Sequence, residues 1–299
     1  MATFGSMVDE VIRKLAGYTL RQDRQTYLTS AISASDTSIE VKSAKNISNG
    51  IIEIDNELIY VESYDRENGI LSIPPYGRGY NGTTPASHAV GTKVVVSPTF
   101  PSIDVKNEIN NTIMALFPGV YATNSYTFTY SASKSTYALP DDVENVIAVS
   151  YEEIGPSKEW APVRGWRIDP MANVDSFNSR NSISIYGGVM PGRTVQVFYT
   201  SQPSTMSSNT DDFEGTTGLP ESCRDLVILG AAYRLASFID PGRLTFGSAE
   251  SDQQSQIAGR SYGAGTNAAK YLLALYQQRL REETDKMQGR YPIRLHYTR

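Results

Sequence analysis

The hydrophobic pattern of this chain switches repeatedly between a period of about 3.6 residues and a period of two, which no single-class fold accommodates. Residues 4–17 set Met7, Val8, Val11, Ile12 and Leu15 at helical spacing, with Gly17 placed to stop the helix. From Thr26 to Ser97 the period becomes two. The runs "TYLTSAI", "TSIEVKS", "GIIEID", "ELIYVESY", "GILSI" and "KVVVS" read as short strands, with Asp55-Asn56 and Asn68-Gly69 as hairpin turns. Residues 102–117 return to helix: Ser102 can cap it, Ile103 and Val105 lead in, Ile109, Ile113, Leu116 and Phe117 form a stripe, and Pro118-Gly119 ends it. A second β region spans about 121–200, with "SYTFTYS" and "STYALP" separated by a short polar turn and "NVIAVSYEEI", "SISIYGG" and "RTVQVFYT" as further strands. Residues 201–218 read as a solvated linker with an acidic patch at Asp211, Asp212 and Glu214.

The remainder is helical. Glu221 to Phe238 is apolar nearly all round in "LVILGAAYRLASF", which calls for burial on several sides. Asp240-Pro241-Gly242 stops it, residues 243–265 read as a polar Gly/Ser-rich loop, and Asn267 to Met287 form a longer helix with Ala268, Leu272, Leu275, Tyr276 and Leu280 on one face. The expected class is therefore α+β: a helical body with an inserted small β-barrel or sandwich and a second β region. The expected divisions are an N-terminal helix at 1–25, a β module at 26–98, a body helix at 99–120, the second β region with its acidic linker at 121–218, a helical part at 219–287 and a basic arm at 288–299.

Chemistry is hard to build from these residues. The single Cys223 allows no intrachain disulfide, and with only His88 and His296 besides, a His/Cys metal site lacks ligands. In "YGRGYNGTTPASHAVGT" no Lys-Ser/Thr pair follows the last glycine, so it is not a phosphate loop, and His88 is expected to satisfy a local hydrogen bond there. Counting from Asp211 puts Thr216 and Ser222 where a calcium loop needs Gly and Glu. Glu152 and Glu153 are adjacent on a strand and point to opposite faces, which does not suit a carboxylate pair. No nucleophile elbow occurs. No enzyme activity, cofactor or metal is expected.

Composition narrows the partners. A net charge of −5 argues against a surface that grips nucleic acid all over, while an acidic conduit past which DNA slides remains compatible. The 19 tyrosines suit surfaces that become interfaces, and they suit β-rich proteins equally well. Met1 to Val11 has neither the basic start nor the apolar core of a secretory leader, and no apolar run nears the roughly 18 residues of a membrane span. A soluble protein made in a reducing cytoplasm is expected. Trp160 and Trp166 flank Pro162 and Gly165, an aromatic corner over a core or a sugar-stacking pair. After Asp285 the chain carries no acidic residue, and Tyr291, Ile293, Leu295 and Tyr297 alternate with polar positions. That pattern fits an arm that orders on a partner by strand addition or groove binding, or else a frayed end.

Three stretches resemble the head-to-tail adaptor, or connector, proteins of tailed bacteriophages. "TYALPDDVENVIAVSYEE" looks like their Leu-Pro turn into a strand, "LPESCRDLVILGAAYRLA" like their Leu-Pro-capped apolar helix, and "KYLLALYQQRLREE" like their last amphipathic helix before a basic tail. "GRGYNGTTPASHAVGT" is similar to a Gly-Thr-x-x-x-x-His-x-x-Gly loop of phage particle proteins. The resemblance implies a structural subunit of a homo-oligomeric ring, usually of twelve copies, in the virion neck. Such a ring would sit beneath the portal protein and above a tail, stopper or nozzle protein, with double-stranded DNA passing its lumen without sequence-specific binding. It implies that the helices build the ring through Leu226, Val227, Leu229, Tyr233, Leu272, Leu275 and Tyr276. It also implies a portal-binding arm of Arg290, Tyr291, Pro292, Ile293, Arg294, Leu295, His296 and Tyr297. Another neck, tail or baseplate component is the alternative within this setting, and a carbohydrate-binding adhesion protein is the alternative outside it.

Overall fold

The structure is a computed structural model, and it describes residues 2–18, 23–45, 47–154, 159–237 and 264–291. The chain divides into two compact units. One comprises Met1–Phe4, Thr112–Val227 and Tyr276–Arg299; the other comprises Gly5–Asn111 and Ile228–Leu275. The longer helices of the middle and C-terminal parts of the chain are α2 (Ser102–Leu116), α4 (Arg224–Ala236) and α5 (Ala264–Arg290).

Among its described residues, the unit holding the first β region has seven strands: β1 (Arg24–Tyr27), β2 (Ser38–Glu40), β3 (Gly50–Ile54), β4 (Glu57–Val61), β5 (Ser63–Asp65), β6 (Ile70–Ser72) and β7 (Lys93–Val96). They form two antiparallel sheets, ordered β1-β7-β3-β4 and β2-β6-β5. Ile52, Ile54, Ile59, Val61, Val94 and Val96 of the first sheet share one buried core with Ile39 and Leu71 of the second. Two open sheets thus face each other across that core, and the barrel half of the expectation is corrected. The strands are three to five residues long, too short to close a sheet on itself. Asp55-Asn56 forms the β3–β4 hairpin, with Asp55 at φ 53°, and Gly69 closes the β5–β6 turn at φ 71°.

Two helices frame these strands in the chain. In α1 (Phe4–Ala16), Phe4, Met7, Val8, Val11 and Leu15 are buried, the stripe the helical spacing requires. Ser102 is the first residue of α2 rather than its cap. Its backbone N–H donates to the buried Glu53 Oε1 on β3 at 2.5 Å, so a strand carboxylate satisfies the helix start. Burial pushes the Glu53 carboxyl up, partly offset by the bonds from Ser102.

The other unit holds β8 (Ala122–Thr129), β9 (Thr136–Ala138), β10 (Asn145–Glu152), β11 (Trp160–Pro162), β12 (Trp166–Asp169), β13 (Ser182–Ile185) and β14 (Thr194–Ser201). The sheets are β11-β10-β14-β8 and β12-β13-β9, all antiparallel. "SYTFTYS" and "STYALP" join different sheets, because the core between them needs a side from each. Phe128 of β8 stacks on Tyr137 of β9 with ring centroids 4.3 Å apart. Val149, Val195 and Val197 from one sheet meet Trp166, Ile183 and Ile185 from the other.

The acidic stretch is not a solvated linker. It contains α3 (Phe213–Thr217), with Phe213 and Thr217 buried. Asp212 caps α3 by accepting from the Gly215 N–H at 2.9 Å, and Asp211 accepts from the N–H groups of Ser207 and Ser208. The backbone is anchored too: Phe4 N–H donates to the Asp211 carbonyl, and Phe213 N–H to that of Ala2, each at 2.9 Å. The expected loop at 243–265 lies outside the described residues up to 263, and α5 starts at Ala264, earlier than its apolar stripe suggests.

Candidate assembly surfaces

The sequence assigns seven helix residues to ring packing, and the structure separates them into two groups. Leu226 and Val227 on α4 and Leu272 and Tyr276 on α5 are buried within the protomer itself. Leu229, Tyr233 and Leu275 are half-buried, and Tyr271 on α5, not singled out from sequence, is 59 % exposed. The stripe that periodicity finds is thus mainly the side a helix turns to its own core. A neighbour can reach only what that core leaves over.

The start of α4 and the second half of α5 are joined by a polar knot. Glu283, buried on α5, accepts from Lys286 Nζ at 2.6 Å, Arg279 Nη2 at 2.9 Å and Ser222 Oγ at 3.1 Å, with the Cys223 thiol 3.8 Å away. Arg279 reaches Asp225 with two nitrogens, at 2.8 and 3.1 Å. Burial pushes the Glu283 carboxyl up, but the bonds from Lys286 and Ser222 and the nearby positive charges win and hold it below its ordinary value. Burial, together with the neighbouring Glu283 charge, pushes the Cys223 thiol up to about 12, so it is a protonated core residue.

In the first β region the structure reveals a second knot that sequence reasoning missed. Glu57 at the start of β4 accepts from Arg78 Nε at 2.8 Å and Nη2 at 2.9 Å. It also accepts from the N–H groups of Gly79 and Ala86, and its Oε2 lies 2.9 Å from His88 Nε2. The other ring nitrogen of His88 is 2.9 Å from Asp55, while Arg78 also donates to the carbonyls of Ser33, Asp36 and Ala86. The glycine-rich loop is therefore wound around one buried carboxylate. Arg78 and His88 are turned inward and mutually satisfied with it, which suits a clasp better than a ligand site. The available signal was a buried-type strand run carrying an acid, "NELIYV", followed by an Arg-Gly and a His.

At the C-terminal side, Arg290 is the last residue of α5 rather than part of a strand. Tyr291 follows, its carbonyl 3.5 Å from the Tyr121 hydroxyl. It lines a recess of about 360 Å³ with Thr123, Asn124 and Ser125 of β8, Ile147 and Ala148 of β10 and Phe198 of β14. Pro292, Ile293, Arg294, Leu295, His296 and Tyr297 lie outside the described residues. The two tryptophans do not form a shared platform: Trp166 is buried in the core and Trp160 is 46 % exposed on β11.

Among the described residues no group of three His, Cys, Asp or Glu side chains is placed to hold a metal ion, and no helix is long and apolar enough to cross a membrane. A comparison with curated proteins gave no match. The model of a phage-type adaptor family, described as SU10 adaptor protein, matches residues 92–295, from the edge of β7 through α5, and leaves β1 to β6 and the Glu57 clasp outside. The match takes in more than half of the sequence, so the chain belongs to the SU10 adaptor protein family and is a structural component of a phage particle.

Proposed function

We propose that this adaptor is a non-enzymatic subunit of a closed ring, of twelve copies, in the neck of a tailed phage. The ring docks beneath the portal protein, with a tail or stopper protein below it, and continues the channel through which double-stranded DNA passes. The observation that carries this reading is the family match, which runs unbroken through α2, the second β region, α4, α5 and most of the terminal basic stretch.

Such a protein works by geometry. Each subunit contact is weak, but a closed ring presents all of its contacts at once and gains affinity without any new chemistry. The half-buried Leu229, Tyr233 and Leu275 and the exposed Tyr271 are among the apolar positions on α4 and α5 that remain for a neighbour. Residues 290–297 are the portal-binding stretch, their Arg and Tyr side chains being the types enriched at interfaces. The net charge of −5 suits a lumen that DNA slides past.

Mixing the full chain with portal protein and measuring native mass and negative-stain images tests this. Closed rings seated on the portal are expected; a chain that stays monomeric with portal present overturns it.

A further inference from the structure

Helix α2 meets the β3–β4 hairpin through two polar contacts set one turn apart. Ser102 and Lys106 are spaced i, i+4 and so share a face of the helix. The Ser102 N–H donates to Glu53 of β3, and Lys106 Nζ donates to the side-chain carbonyl oxygen of Asn56 in the turn. An amine, an amide carbonyl and a carboxyl are thus gathered within about one helical turn, all inside one unit.

The surroundings suit a reaction between them. Lys106 and Glu53 are 6 % and 4 % exposed, and Leu58, the cross-strand partner of Glu53, is buried as well. Burial pushes the Lys106 ammonium down from its ordinary value, against the opposing pull of the Glu53 and Asp55 charges. The Glu53 carboxyl is pushed up by the same cause. Both shifts favour a neutral amine, the nucleophilic form, beside a neutral acid. Asn56 is exposed, so a small leaving group has a way out.

We propose that Lys106 and Asn56 join spontaneously in an isopeptide bond that staples the β3–β4 hairpin to α2. The Lys106 Nζ lone pair attacks Asn56 Cγ, the Nζ–Cγ bond forms, and the Cγ–Nδ2 bond breaks with its electron pair left on Nδ2. One proton passes from Nζ to Nδ2 by way of the Glu53 carboxyl, which gives one proton and takes one back. The products are a secondary amide and one ammonia; nothing is oxidised or reduced and no co-reactant enters. The link ties a hairpin that precedes the family-matched stretch to a helix within it, and it stands apart from the ring reading.

The intact mass of the denatured full-length chain tests this without any variant. The expected mass is below that of the sequence by one ammonia, and a digest should yield one branched peptide in which Asn56 and Lys106 are joined. Lys106→Arg and Asn56→Ala should each keep the full sequence mass. In Glu53→Gln the linked fraction should grow at least about a hundredfold more slowly. A wild-type chain at the full sequence mass overturns the proposal and leaves an ordinary hydrogen bond. So does an ammonia loss that survives in Lys106→Arg, which would place it elsewhere in the chain. Linking at the wild-type rate in a folded Glu53→Gln chain overturns the part given to Glu53.

Discussion

Arg78 grips Glu57 with two nitrogens, Nε at 2.8 Å and Nη2 at 2.9 Å, and both side chains are almost fully buried, at 6 % and 1 % exposed. The pair lies N-terminal to residues 92–295, the stretch that the adaptor family model matches. Its location joins three loop segments, around Ser33, Gly79 and Ala86, to the β3–β4 hairpin.

Arg78→Met should therefore destabilise the β module strongly. Removing one partner leaves a buried carboxylate without its charge-paired donor, which typically costs about 3–5 kcal/mol. Arg78→Lys should recover little, because a single ammonium cannot serve Glu57 and the carbonyls of Ser33 and Ala86 together. Chemical denaturation, followed by the fluorescence of tyrosines such as Tyr60 and Tyr80, which stack beside this loop, measures both. Wild-type stability in Arg78→Met would contradict the clasp.

The same carboxylate sets an acid limit. Burial pushes the Glu57 carboxyl up, but the bonds from Arg78, His88 and the backbone amides win and hold it down at about 2, against an ordinary value of 4.5. A group whose folded pKa is depressed contributes stability that is present above its unfolded pKa and lost as pH falls through the folded one. Stability should thus decline from about pH 4.5 toward pH 2, and Glu57→Gln should flatten that part of the curve while lowering stability at neutral pH. Denaturation midpoints across this range decide the matter, a Gln variant with the wild-type slope being the contrary result.

Cys223 should resist thiol reagents in the folded protein. It is buried, and its thiol is pushed up to about 12 by burial and by Glu283, so the reactive thiolate is scarce at pH 8. Labelling should proceed at the rate of unfolding and become immediate in denaturant. Prompt labelling of one thiol per native chain would show the site open.

Core and interface substitutions on α4 and α5 should separate cleanly. Leu226→Ala removes a side chain buried within the protomer and should cost about 2–5 kcal/mol of subunit stability. Tyr271→Asp should leave the subunit's melting unchanged and weaken ring closure, because that ring is largely exposed in the single chain. Native mass and thermal melting on the two variants give the comparison; an unaffected ring in Tyr271→Asp would move the neighbour contact elsewhere.

A chain ending at Tyr291 should fold normally and lose portal docking. The cut spares α5, which runs through Arg290, whereas removing residues from 288 onward would shorten that helix. Co-sedimentation with portal reads the outcome, and undiminished binding would remove the arm from the docking site.

Periodicity alone located the helices and most strands, because the side-chain repeat of a helix or a half-buried strand is written residue by residue. The stripe Met7, Val8, Val11 and Leu15 and the hairpin at Asp55-Asn56 are cases in point. The α+β class and the family likeness were accessible in the same way. Partnership was not. Whether β8 pairs with β9 or sits in another sheet, whether Leu226 faces a neighbour or its own core, and that Glu57, Arg78 and His88 converge were all decided by long-range packing. A local pattern states that a face must be buried or a charge satisfied; only the closed tertiary structure supplies the group that does so, because that group comes from a distant part of the chain.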